Sequence, residues 1–207
     1  IQVAVPKQSC CGLPLLSSGD MDAARKKAEN NIAAFQPWID RGYEIISNCT
    51  SCSLMLKHEY TEVLGLKTAA ALAAQARDLG EFLLQLVKSG SLHLDLNPLP
   101  MQAAYHTPCH LRTQKIGLPF VELLQQIPDF SVEVMSAPCC GQSGSYGFKS
   151  EKYEISRVVG RPLAESLQTL KPEIALSECG PCQIRMHDST GLPVAHPVSI
   201  LRRAMGI

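Results

Sequence analysis

Neither sign of charge is in excess. Lys plus Arg and Asp plus Glu number 19 each, so the chain lacks the basic footprint of a nucleic-acid binder. Long apolar runs are missing too. The longest such tract, Ala69 to Ala76, is too short to cross a bilayer and is followed by Arg77-Asp78. Membrane contact is therefore expected to be peripheral or through a partner. No secretory signal is visible, although the chain starts at Ile1 and is expected to be a piece of a longer one. There is no nucleotide-binding fingerprint and no catalytic triad, so no residue is assigned a catalytic role. What remains, 207 residues with 45% hydrophobic and 18% charged, describes an ordinary globular protein of one large domain or two smaller ones.

Cysteine is the residue that is abundant, at 9. The odd count, the size of the chain and the CxxC spacing all argue against a disulfide framework. The thiols instead recur in order: Cys10-Cys11-Gly12 then Cys49-Thr-Ser-Cys52, and Cys139-Cys140-Gly141 then Cys179-Gly-Pro-Cys182. Cys10 and Cys139 are 129 positions apart, Cys49 and Cys179 130. Cys109, in His106-Thr-Pro-Cys-His110, leads the second copy. A segment preceding Ile1 is expected to supply the matching thiol of the first copy.

Short apolar runs stop just before the cysteines. Gln102–His106, Ser131–Met135 and Glu173–Ser177 read as strands, with Leu118–Gln126 and Lys152–Leu170 as helices between them, and Pro193–Ala195 then Val198–Met205 closing the series. The first half repeats the plan: Gln2–Val5 and Tyr43–Ile46 as strands, Met21–Ile39 and Ala69–Lys88 as helices. Strands alternating with helices predict an α/β fold with parallel sheets, whose ligands sit beyond the carboxyl ends of the strands. The expected architecture is two duplicated Rossmann-like half-domains with the cysteines at strand ends. The first half-domain is placed at 1–90, a linker at 91–100 and the second half-domain at 101–207.

Thiolates gathered at fixed spacing suit a soft metal. The second group offers five thiols, more than tetrahedral zinc needs, and suits an iron–sulfur cluster, [4Fe-4S] being the expected type. Zinc is the alternative, above all at the first group, where four thiols are on hand. One or two clusters are expected, and all nine cysteines are candidate metal and cofactor ligands: Cys10, Cys11, Cys49 and Cys52 at one site, Cys109, Cys139, Cys140, Cys179 and Cys182 at the other. His106 and His110 are expected to hydrogen-bond backbone or sulfur, and His196 to pack or cap a helix. The glycines after Cys140 are expected to let the backbone approach the centre closely.

The doubled pattern of lead cysteine, Cys-Cys-Gly and CxxC resembles the cysteine-rich CCG domain found in the B-type chain of heterodisulfide reductase, in glycolate oxidase iron–sulfur subunits and in lactate-utilisation proteins. Cys10-Cys-Gly-Leu-Pro14, Tyr105-His-Thr-Pro-Cys-His110 and Ser143-Gly-Ser-Tyr-Gly-Phe-Lys149 look like the C-terminal part of the C-type chains of anaerobic glycerol-3-phosphate dehydrogenases. That resemblance implies a non-catalytic electron-transfer subunit working between flavin-containing dehydrogenase subunits and membrane quinone, peripheral on the cytoplasmic face of the inner membrane. The family's ferredoxin-type CxxCxxCxxxCP motifs are not in this sequence. A disulfide-cleaving subunit of the heterodisulfide reductase kind, a glycolate or lactate oxidase iron–sulfur subunit and a zinc-bound interaction module are the alternatives.

Overall fold

Apolar runs that alternate with amphipathic stretches ask for parallel strands joined by helical crossovers. The computed structural model, which describes residues 1–207, has them in two units, Ile1–Asp78 and Leu79–Ile207.

In the first unit, residues 1–11 carry no regular structure, and Val3 and Val5 are largely exposed. The strand expected at Gln2–Val5 is not formed: the unit's sheet holds two other strands, and nothing offers this segment a hydrogen-bonding ladder. After α1 (Leu13–Ser17) comes α2 (Met21–Ile39). The Asp20 carboxylate caps α2 by accepting the Ala23 N–H at 3.1 Å. Ala24, Ala28, Asn31 and Phe35 form its buried stripe, the three- and four-residue spacing of one helical face. β1 (Ile45–Ser47) leads into α3 (Thr50–Leu54), a π-helical turn (Met55–Glu59) and α4 (Tyr60–Glu62). α5 (Ala70–Gln75) then returns to β2 (Ala76–Asp78), parallel to β1.

The single helix expected over Ala69–Lys88 is therefore three elements. Its last part, α6 (Leu79–Lys88), belongs to the second unit, so the division at Asp78 precedes the boundary expected at residue 90. The cause is packing. Leu84, with Leu79, Leu83 and Val87, joins the core around Phe120 and Leu124. A Cβ at Gly80 would stand 2.7 Å from the Phe120 ring, so the helix lies close to its neighbour.

The second unit continues with β3 (Met101–His106), α7 (Cys109–Gln114), α8 (Pro119–Leu124) and β4 (Phe130–Met135). α9 (Tyr153–Leu170), β5 (Ile174–Leu176), α10 (Gly180–Thr190), β6 (Val194–Ala195) and α11 (Pro197–Ala204) complete it. The sheet order is β4-β3-β5-β6, all parallel. Alternation along β3 sends Ala103 and Tyr105 into one core and Ala104 into another with Leu163, Leu167 and Met186, so helices cover both faces. His196 caps α11, its Nδ1 accepting the Val198 N–H at 3.1 Å. The chain leaves β3 for opposite sides of the sheet, to β4 and then to β5. That is a topological switch point, where open α/β sheets bind ligands.

Candidate metal centres

Three loops of the second unit converge at this switch point. Cys109 opens α7 just after β3, Cys139 and Cys140 follow β4, and Cys179 and Cys182 follow β5. Cys179 is the extended N-cap of α10, which puts Cys182 in its first turn. The Cys182 and Cys140 sulfurs are 3.0 Å apart. Gly141 makes the bend at φ 81°, and a Cβ there would meet the Ser156 carbonyl oxygen of α9 at 2.1 Å. Only glycine satisfies both constraints. The bend also lets the Gly141 N–H donate to Cys139 Sγ at 3.3 Å. Cys140, Cys179 and Cys182 are buried, Cys139 is half-buried and Cys109 is exposed.

The first unit builds the same contact from the same parts. Cys49 is the extended N-cap of α3, Cys52 lies in its first turn, and Cys52 Sγ is 3.3 Å from Cys11 Sγ. Gly12, at φ 91°, takes the left-handed turn. Cys10 is exposed, and its carbonyl accepts from Asn31 Nδ2 at 3.2 Å.

In both units the second cysteine of the CxxC is the hub of the thiol hydrogen bonds. Cys52 is the proton-bearing partner: its hydrogen bonds to Cys11 and Cys49, together with burial, push it far up. Those bonds pull Cys11 down to about 7, with help from the Leu13 N–H, and Cys49 down to about 6, with help from the backbone of Cys52 and Ser51. In the second unit, Cys182 is pushed up by its bonds to Cys140 and Cys179. Cys140 is held well below the usual thiol range by Cys139 and Cys182, with His106 adding a further hydrogen bond. Cys139 is raised, its bond to Cys140 first, and Cys109, exposed as a residue, is raised by partial desolvation of its thiol, then by Cys179 and Cys140. Thiolates stabilised by one another's protons and by helix N–H groups are ready for a cation.

The second site also contains a nitrogen. His106, the last residue of β3, is buried, and one of its ring atoms lies with the Cys140 and Cys182 sulfurs, all within 4.8 Å of one another. Its Nδ1 has no hydrogen-bond partner. Two sulfurs and one imidazole, whose Nδ1 is buried and unpaired, make a donor set that fits a soft metal or an iron–sulfur cluster.

Sequence reasoning missed the residues behind the thiols. In the first unit, Tyr60 donates to the Cys11 carbonyl at 2.9 Å and accepts from Asn31 at 3.0 Å. In the second, the buried Arg185 guanidinium donates to Gln142 Oε1 at 3.1 Å and Ser156 Oγ at 2.6 Å, and Ser156 donates to the Gly141 carbonyl at 2.8 Å. The available signal was spacing: Arg185 stands three positions after Cys182, on the same helical face.

The CCG family, described as "Cysteine-rich domain", matches residues 1–57 and 103–187. The chain is 34% identical over 205 residues to the C-type chain of the anaerobic glycerol-3-phosphate dehydrogenase of Escherichia coli (strain K12), covering 96% of this chain and 50% of that one. It is 31% identical over 193 residues to the B-type chain of the fumarate reductase (CoM/CoB) of Methanothermobacter marburgensis, covering 91% and 36%. It is 27% identical over 212 residues to the glycolate oxidase iron-sulfur subunit of Escherichia coli (strain K12), covering 95% and 48%. The chain spans about half the length, or less, of these relatives. No helix is long and apolar enough to cross a membrane.

Proposed function

The chain belongs to the cysteine-rich CCG family, and from that premise we propose that it is the iron–sulfur electron-transfer portion of a membrane-associated respiratory dehydrogenase. The favoured parent is an anaerobic sn-glycerol-3-phosphate dehydrogenase, in which it passes electrons from a flavin-bearing partner toward quinone. It works peripherally, on the cytoplasmic side of the membrane. The observation that carries the reading is the contact made twice, Cys11 with Cys52 at 3.3 Å and Cys140 with Cys182 at 3.0 Å. Two units that rebuild one thiol arrangement are two redox stations, and each needs neither a general base nor a substrate pocket.

Cys10, Cys11, Cys49 and Cys52 hold the first centre, and Cys109, Cys139, Cys140, Cys179 and Cys182 the second, with [4Fe-4S] the expected type. A bound cluster supplies one-electron carriage. The protein's part is to aim N–H groups at the sulfurs and to exclude water. The Gly141 N–H on Cys139 and the two CxxC helix starts do the first. Burial of Cys140, Cys179 and Cys182 does the second.

Zinc is the second reading, favoured by His106, Cys140 and Cys182, whose ligand atoms lie within 4.8 Å of one another, with the buried Cys179 of the same CxxC as a fourth candidate donor. Anaerobic loading of the chain with iron and sulfide separates the two. A brown protein with sulfide-bearing iron and a reducible spectrum supports electron transfer. A colourless protein that takes up zinc and refuses iron removes it.

A further inference from the structure

The buried donors of the second unit are not all sulfur. Cys140, Cys179 and Cys182 are 5%, 7% and 2% exposed and His106 is 1% exposed, whereas Cys109 is exposed and Cys139 half-buried. His106 ends β3, the central strand at the switch point, so its ring enters the space between the loops after β4 and β5. There it meets the sulfurs of Cys140 and Cys182, the three ligand atoms lying within 4.8 Å of one another.

The hydrogen bonding of this ring is half complete. His106 bonds to Cys140, yet its Nδ1 is buried with no partner. Buried polar atoms left unpaired are costly and uncommon. The nitrogen that bonds to Cys140 is the one turned toward the sulfurs, and shift of its proton to the unpaired Nδ1 leaves a lone pair on the sulfur side of the ring. A lone pair there, beside soft sulfur ligands, is what a metal takes up. The first unit has no histidine at its thiol site: His58, in the π-helical turn, pairs with Glu62 on the surface.

We propose that His106 is a nitrogen ligand of the second centre, which makes it a mixed imidazole–thiolate site beside an all-thiolate first one. Exchange of an anionic thiolate for a neutral imidazole disfavours the oxidised, more positive metal and raises the reduction potential. The second centre is then the better electron acceptor of the two. This rests on the iron–sulfur reading for its redox consequence, not for the ligation itself.

The test loads the full chain anaerobically with iron and sulfide, with and without ¹⁵N-histidine, and compares it with His106→Ala and His106→Cys. Pulsed EPR of the reduced protein is expected to show a strongly coupled nitrogen that becomes ¹⁵N on labelling and is lost in both variants. His106→Cys should keep its iron while one centre moves to lower potential. An all-sulfur spectrum in the loaded parent, or a nitrogen coupling that persists in His106→Cys, overturns the assignment. Co(II) loading of the iron-free chain gives an arm independent of iron. A cobalt d–d envelope that shifts in His106→Ala supports the nitrogen ligand, and one that does not shift overturns it. Refusal of iron by the parent would sink the electron-transfer reading, while the cobalt arm still decides His106.

Discussion

The two thiol sites share a backbone and differ in what stands behind it. Each has a Cys-Cys-Gly bend in the left-handed conformation and a CxxC capping a helix, with the second cysteines of the two motifs in contact. Behind Cys11 lies a neutral pair, Asn31 and Tyr60. Behind Cys140 lies a buried cation, Arg185, held by the neutral side chains of Gln142 and Ser156. At the position 130 residues earlier stands Met55, fully buried. The helix after the first CxxC also carries a π-helical turn, Met55–Glu59, where α10 is regular. A π turn adds a residue to the helical register, and the next residue is Tyr60, whose hydroxyl reaches the Cys11 carbonyl. One scaffold thus places the sulfurs, and the surrounding side chains give the two sites different electrostatics.

The largest effect should come from the cysteines at the hub of each site. Cys182→Ala removes the proton-sharing partner of Cys140 and Cys179, and Cys52→Ala does the same for Cys11 and Cys49. Each variant is expected to lose the iron and sulfide of its own unit and keep the other's, as measured by metal analysis and EPR. Loss of both centres from either change would mean that the sites are not independent.

Arg185→Met, which writes the first unit's residue into the second, comes next. A unit charge acting over about 10 Å at an effective dielectric near 20 is worth roughly 1–2 kcal/mol. Loss of the cation should make the second centre harder to reduce by about that much, with the first unmoved, in an EPR-monitored redox titration. The reciprocal Met55→Arg puts an unpaired charge into a fully buried position and is expected to unfold the first unit. An unchanged potential in Arg185→Met would remove Arg185 from the comparison.

Much of this comparison was legible in the sequence, and its failures have physical causes. The spacing of the cysteines and the short runs ahead of Cys109, Cys139 and Cys179 placed β3, β4 and β5, because a strand-end site needs the thiols just past the apolar residues. Met21–Ile39 read as α2 because its buried stripe keeps helical spacing over many turns. β2 was invisible. Ala76–Asp78 is three residues inside an Ala- and Leu-rich run with high helix propensity. It becomes a strand through tertiary partners, Ala76 pairing with Ile45 and Asp78 accepting from Ser53 Oγ at 3.1 Å. Arg185 and Tyr60 were invisible for a related reason: a polar residue on a helix looks solvent-facing until its partners on other elements are known. His106 was legible as a neighbour of sulfur, but its unpaired Nδ1 was not.

Tyr60→Phe should act more weakly and on the first unit alone. The hydroxyl gives one hydrogen bond to Cys11 and takes one from Asn31, and its loss is expected to cost about 1–2 kcal/mol. Urea unfolding followed by hydrogen exchange should locate that loss in residues 1–78. Equal weakening across residues 79–207 would contradict it.

The smallest effect is a difference in thiol reactivity in the metal-free chain. Hydrogen bonds from Cys52 lower Cys11 to about 7 and Cys49 to about 6, from an ordinary 9.0. Burial and neighbouring thiolates raise Cys109, and the bond to Cys140 raises Cys139. The thiolate is the nucleophile. A lowered value means that the reactive form is already present at neutral pH, so alkylation should climb as pH passes 6 to 7 and level off by about pH 8. A raised value means that the proton is held longer, so Cys139 and Cys109 should still be gaining rate at the alkaline end. Timed iodoacetamide labelling with peptide mapping from pH 5 to 9 reads both curves. Cys52→Ala should return Cys11 and Cys49 toward ordinary thiol behaviour, because their shared proton donor is gone. Should Cys49 label with the same pH curve in that variant as in the parent, its lowered value would have to come from the α3 backbone N–H groups, and the thiol contact would lose its role.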